Sequence, residues 1–254
     1  MNSGCFTLPL AMGWLALRDP SMRLSMNLDP ITSATLSRAD IVKLVGTSGH
    51  LTAGHLIDCE LEELDLGKLD LSGWTFERCN LRHADFTGAN LANTTWQSCR
   101  AAFANFSAAD LAEASVKASD FNNAAFRRAN IAATSFTATR MTGADFHGAK
   151  GMGFAFEEVL LVGARLAGLS FRKEVLRRVD LAQADLTKCD FRATVFEGCS
   201  LREANMDGAQ FAGADLRGAD LGGLKLEDAA LFRGAVISRE QAEQLLSGWG
   251  LLIR

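Results

Sequence analysis

Four histidines, six cysteines and 30 aspartates and glutamates are the side chains through which this 254-residue sequence could do chemistry. Catalysis or metal binding would need them at spacings that converge on one point. His50, His55, His83 and His147 complete no HExxH pattern, and no GxSxG, P-loop or strand–helix GxGxxG accompanies them. Cys59, Cys79 and Cys99 are evenly spaced, but no CxxC pair is present. Carboxylates gather in two places: Asp58, Glu60, Glu62, Glu63, Asp65 and Asp70 near the start, then Glu157 and Glu158. A basic run follows at Arg172, Lys173, Arg177 and Arg178, with Glu174 inside it. Such clusters suit the binding of a charged partner, whereas a paired-carboxylate active site would also need a concavity. The sequence predicts no catalytic residue, no metal site and no cofactor.

One rhythm sets the elements that carry these residues. Every fifth residue from Leu56 to Val236 is a beat, 37 in all, and only Ala101 and Gly151 are not large and apolar. A period of five fits neither an α-helix nor a strand and marks a repeat architecture. Two residues before the beat a small residue recurs, as at Ala84, Ala89, Ala104, Ala184 and Ala214. One residue before it Asp or Asn recurs, as at Asp85, Asn90, Asp145 and Asp215. Twelve of the 23 glycines fall two residues after it. The large and small residues point inward, and Gly, with Asp or Asn, supplies tight corners.

The units Ala84-Asp85-Phe86, Ala89-Asn90-Leu91, Ala144-Asp145-Phe146 and Ala214-Asp215-Leu216 resemble the pentapeptide-repeat family, whose unit is Ala-Asp/Asn-Leu-X-X. The resemblance implies an all-β solenoid: a right-handed quadrilateral β-helix with four pentads in each 20-residue coil. The 37 beats then give about nine coils and a rod of about 44 Å at roughly 4.8 Å per layer. Side chains in the same slot of successive coils should stack. Phe76, Trp96, Val116, Phe136, Phe156, Leu176 and Phe196 form one column; Phe86, Phe106, Phe126 and Phe146 form another on the opposite face. These aromatics read as a core ladder and not as a ligand box. Cys59, Cys79, Cys99, Cys189 and Cys199 fall on the small inward position. They read as buried small hydrophobes, with a disulfide or metal between layers as the alternative. Free thiols suit a reducing cytoplasm.

Both open ends carry cap signals. Ser37 precedes an amphipathic segment, giving a capping helix at about 37–46 within an N-terminal extension, 1–52. The solenoid is expected over 53–237, followed by a helix and strand at 238–254. Residues 1 to about 34 carry little structural signal, and the apolar stretch 6–17 is too short to span a bilayer. A cytoplasmic protein without membrane contact is expected. Ser238-Arg239-Glu240-Gln241 is a capping box. The tail beyond it is similar to those of the gyrase-protecting Qnr and MfpA types, which implies end-to-end pairing of two rods. A homodimer through Leu245, Leu246, Trp249, Leu251 and Ile253 is expected, with a plain monomeric cap as the alternative.

The same resemblance implies a DNA-mimicking rod that binds DNA gyrase or topoisomerase IV and protects it from quinolones or other poisons. No direct nucleic-acid binding is expected. Charge tests the mimicry. Residues 54–238 carry 25 Asp and Glu against 20 Lys and Arg, a net of −5. That is about one net charge per 9 Å of rod, against one per 1.7 Å in duplex DNA. The alternative is a non-enzymatic scaffold or regulatory module without mimicry. Asp58, Glu60, Glu62, Glu63, Asp65, Asp70, Glu157 and Glu158 are the acidic candidates for the partner surface. At the other candidate, residues 172–178, the beat is poorest: Gly151 takes a beat, Phe154 and Leu169 replace small residues, and Glu174 falls on an inward slot. Either that coil is distorted or Arg177 or Arg178 pairs with Glu174. The unbroken phase from Leu56 to Val236 places the chain nearer the loop-free MfpA type than the looped Qnr type.

Overall fold

The computed structural model describes residues 29–46, 54–222, 230–248 and 250–251. Its elements run β1 (Ile31–Thr32), α1 (Arg38–Gly46), β2 (His55–Ile57), β3 (Thr75–Glu77), β4 (Thr95–Gln97), β5 (Ser115–Lys117), β6 (Ser135–Thr137), β7 (Ala155–Glu157), β8 (Val175–Arg177), β9 (Val195–Ser200), β10 (Asp215–Asp220) and α2 (Arg239–Gly248). All ten strands form one parallel sheet in chain order. Register advances by four pentads at each rung: Thr75 on Thr95, Phe76 on Trp96, Glu77 on Gln97. The other three sides stack through single bridges at the same spacing, such as Glu60 on Asn80, Asp65 on Asp85 and Asp70 on Asn90. The chain is a four-sided β-solenoid of about eight turns, close to the nine coils expected.

The core follows the beat. Phe86, Phe106, Phe126 and Phe146 stack at 4.9, 5.0 and 4.7 Å. Phe76 stacks on Trp96 at 4.2 Å, and Phe86 meets Trp96 edge-on from the opposite wall at 5.5 Å. Ala101 breaks the large-residue rule beside Trp96, whose indole reaches Phe121 in the next layer at 6.0 Å. A small beat makes room for the largest one, and volume is conserved.

Corners explain the remaining slots. The residue two after the beat is left-handed from Asp58 to Gly213, as at Glu63 (φ 58), Phe103 (φ 62) and Gly143 (φ 70). That conformation costs a side-chain-bearing residue about 1–2 kcal/mol. Most such N–H groups are paired with the next coil, for example Glu63 N–H with Arg82 O at 2.8 Å, with Gly148 and Gly153 among the exceptions. The recurring Asp or Asn accepts from the backbone two residues on, as Asp70 does from Ser72 N–H at 3.1 Å.

Three corners of a regular coil close a turn hydrogen bond: Leu64 to Leu61, Leu69 to Leu66 and Trp74 to Leu71. The corner after the sheet side stays open, and thiols take its free carbonyls. Cys79 Sγ donates to Leu56 O at 3.4 Å, Cys99 Sγ to Phe76 O at 3.2 Å, and Cys199 Sγ to Leu176 O at 3.3 Å. The five described cysteines are buried and free. A hydrogen bond with Cys79, together with burial, pushes the Cys99 thiol up, and burial pushes Cys189 up to about 12. Thiols in this state are poor nucleophiles.

The phase does not hold to the end. Asp215 bridges Val236, one position beyond the regular step, and Phe232 lies tilted against Phe211 at 4.7 Å. One extra residue has entered between Leu221 and Leu231, so the beats drawn at Leu231 and Val236 are displaced. Val236 is 48% exposed, and Phe232 and Ile237 pack on the core, with Leu231 half-buried beside them. The reading of a chain without any insertion is therefore corrected. Alternating apolar neighbours, Leu231-Phe232 and Val236-Ile237, hid a slip of one.

Each end is closed by side chains that replace a missing coil. β1 pairs with β2, and Ser33 and Leu36 N–H donate to Ile57 O and Glu60 O at 2.9 and 3.3 Å. So residues 31–34, placed within the weakly structured start by sequence, already form part of a rung. Helix α1 rests Ile41, 1% exposed, on the first coil. Its Arg38 guanidinium donates to Asp65 O at 2.5 Å and Gly67 O at 3.2 Å. One coil up, Asp85 O and Thr87 O accept from Leu66 and Lys68 N–H, so Arg38 occupies two vacant acceptor positions. At the far end Gln241 Nε2 donates to Leu216 O and Ala219 O, both at 2.7 Å. Ser238 and Gln241 form the expected capping box, at 2.7 and 3.2 Å.

Candidate interaction surfaces

The N-terminal carboxylates do not form a bare anionic stripe. They lie on successive sides and corners of the first coil, and most meet a cation or an amide. Asp58 is held by Arg78 at 2.8 and 2.9 Å, which keeps its carboxyl below the ordinary value. Glu60 accepts from Asn80 at 2.7 Å and lies 3.8 Å from Arg100. Glu62 accepts from Asn80 at 3.0 Å and lies 3.8 Å from Arg82. Asp65 pairs with Arg38 at 2.8 Å, and Asp70 accepts from Asn90 at 2.9 Å. Glu63 is exposed at a corner.

The pattern repeats along the rod. Arg178 reaches down one coil to Glu158 at 2.6 Å and Glu157 at 3.5 Å. Arg140 meets Asp120 at 2.9 Å, and Arg177 meets Glu197 at 3.0 Å. Asp145, the most buried described carboxylate, has Arg127 at 2.7 Å, Arg165 at 3.4 Å and His147 N–H at 2.9 Å. Burial pushes its pKa up, but the His147 N–H and the two arginines outweigh that and lower it. Opposite charges one coil apart in the chain become ladder neighbours. That signal was in the sequence, in columns such as Asp58/Arg78 and Glu158/Arg178.

The basic run corrects a second expectation. Arg177 and Arg178 both pair outside their own coil, and neither reaches Glu174. Glu174 is only half-buried, and no ion pair or hydrogen bond to its carboxylate is found among the described residues. β8 keeps full register with β9. The coil's strain lies on the adjacent side, at residues 148–154 and 170–173, where rung hydrogen bonds are missing. Arg172 and Lys173 are exposed there.

In the tail, Leu245 and Leu246 are half-buried on α2 and Leu251 is 52% exposed. Trp249, Ile253 and most of the expected strand lie outside the described residues. No group of three His, Cys, Asp or Glu among the described residues could hold a metal ion. No described helix is long and apolar enough to cross a membrane. A shallow depression of about 270 Å³ lies at the open corner, lined by Ser98, Arg100, Ser119, Asp120 and Arg140. It brings no nucleophile–base pair together.

Models of the pentapeptide repeat region match residues 49–117, and those of pentapeptide repeats (8 copies) match 104–143, 119–150, 160–198 and 194–231. The chain is a pentapeptide-repeat protein. Among solved pentapeptide-repeat structures it is similar to full-length QnrB1, a plasmid-mediated fluoroquinolone resistance protein, with TM-score 0.61 and 20% identity over 87% of this chain and 97% of that one. It is also similar to HetL from the cyanobacterium Nostoc sp. strain PCC 7120, which is involved in heterocyst differentiation regulation. There the TM-score is 0.51, with 21% identity over 76% of this chain and 87% of that one. A comparison with curated proteins finds no match. At these identities the likeness shows the fold of this pentapeptide-repeat protein.

Proposed function

We propose that this pentapeptide-repeat protein acts by recognition and not by catalysis. Its partner is DNA gyrase or topoisomerase IV, which it protects from a quinolone or another poison, as a cytoplasmic homodimer with no cofactor. The observation that carries this reading is the correspondence with QnrB1 along 97% of that chain. The ion pairs weigh against a uniformly DNA-like surface, because Arg78, Arg140 and Arg178 offset the carboxylates beside them. Those same pairs, with the likeness to HetL, favour a second reading: a scaffold or regulatory module that binds another protein through one side of the rod.

Gyrase supercoiling with a quinolone or a peptide poison, with and without the purified protein, separates the two. Rescue of supercoiling, or its inhibition at higher protein concentration, supports a topoisomerase partner. No effect in either direction from folded protein removes the first reading and leaves the scaffold.

A further inference from the structure

We infer that the breach between two coils at residues 148–154 and 170–173 is a binding site for a small oxyanion of the phosphate class. The inference is independent of which protein the rod binds.

The rungs on either side define what is missing. Ile131 N–H donates to Lys150 O at 2.7 Å and Ala133 N–H to Met152 O at 3.0 Å. Phe171 N–H donates to Asp190 O at 2.8 Å and Lys173 N–H to Arg192 O at 3.0 Å. At the equivalent positions between these rungs, Gly151 and Gly153 N–H have no acceptor among the described residues. The same holds for Gly148, Phe154 and Ser170 N–H, whose counterparts Arg128, Thr134 and Asp190 are all bonded.

Packing explains the breach. Phe154 fills an inward slot that Thr134 and Thr194 occupy in nearby coils, and Leu169 fills one that Ala129 and Ala149 occupy. The Phe154 ring stands edge-on to Phe171 at 5.3 Å, wedging the rungs apart. Gly151 instead follows the coil below: a Cβ there would lie 2.5 Å from Ala132 N, at φ 150. The lower ladder stays closed and the upper one opens.

Several backbone donors thus lack partners at one gap, and so, among the described residues, do the carbonyls of Ala149, Ser170 and Arg172 that would have accepted from Ser170, Gly151 and Gly153. Donors freed in this way can turn to an anion where the nearby charge favours one. The rim adds charge. Lys150, Arg172 and Lys173 are exposed, and none is in an ion pair among the described residues. The nearby acids are Glu174 and Asp190, the latter already paired with Arg192 at 2.7 Å. Three cations against one uncommitted carboxylate, with N–H donors between them, suit a multiply charged tetrahedral anion better than a two-oxygen carboxylate.

The test is a titration of the ¹⁵N-labelled full chain with inorganic phosphate at constant ionic strength, balanced with chloride, and a parallel arm with acetate. Saturable shifts centred on the amides of Gly148, Gly151, Gly153 and Ser170, stronger with phosphate, support the site. Arg172→Gln with Lys173→Gln should weaken phosphate binding at least tenfold. Lys68→Gln with Lys117→Gln, which removes equal charge elsewhere, should not. Phe154→Thr should close the ladder and abolish the shifts while the fold is kept. The inference is overturned by the absence of saturable shifts, by equal loss in the remote double variant, by equal response to acetate, or by unchanged binding in a folded Phe154→Thr protein.

Discussion

Replacing Gln241 should open the last coil of the solenoid without unfolding the rest. Its side-chain amide donates to Leu216 O and Ala219 O at 2.7 Å each, and the residue is 8% exposed. Gln241→Leu leaves both carbonyls buried without donors, at about 1–3 kcal/mol each. It also removes the capping box with Ser238, worth about 1 kcal/mol. Relaxation and water entry would recover part of this, so about 2–4 kcal/mol of local stability should be lost. Gln241→Glu sharpens the argument. A glutamate can still accept from Ser238 N–H, but at neutral pH it turns an anion toward two carbonyl oxygens. Both variants should speed amide hydrogen exchange across residues 214–221 by about 30- to 1000-fold, since about 1.4 kcal/mol is a factor of ten. Exchange around Phe106 and Phe126 should not change. Wild-type exchange in the last coil of Gln241→Glu at neutral pH would refute the claim that this amide closes the end.

Other outcomes follow from the same contacts. Phe126→Asp places a charge in a fully buried stack between Phe106 and Phe146, and should cost about 5 kcal/mol or more; unchanged cooperative unfolding in urea would contradict the inward assignment. Leu246→Asp with Leu251→Asp should convert a dimer to folded monomers by light scattering, and a persisting dimer would exclude the tail as interface. Asp145 titrates below the ordinary 3.8, so its pairing stabilises the fold above that pH and is lost as pH falls through the lower folded value. The urea midpoint should therefore drop more steeply on acidification in the wild type than in Asp145→Asn. Equal slopes would mean the arginines contribute nothing there.

Much of the fold was legible because a five-residue period constrains every position at once. Phe86 over Phe106 and the left-handed corner at Gly143 follow from slot identity alone. The one-residue slip before Phe232 was not, since Leu231 and Phe232 are equally good core residues and only packing chooses between them. The surface was less legible because net charge sums over the whole rod, while energetics depend on neighbours. Glu158 and Arg178 cancel locally at 2.6 Å, which a sum over the rod does not reveal. The open corner, where thiols serve as donors, was also missed: a small inward cysteine reads as packing, and nothing in one pentad says which of four turns lacks its hydrogen bond.

Arg38 and Gln241 both satisfy main-chain oxygens that every coil possesses, and only the Arg38–Asp65 ion pair depends on a side chain of the coil it covers. Length is therefore a free variable of this architecture. A duplicated block of four pentads spliced between Phe106 and Phe126 would meet the same register on both sides and lengthen the rod by about 4.8 Å. Such a chain is a ruler whose markings can be added or removed whole, while the two stops at its ends need no redesign.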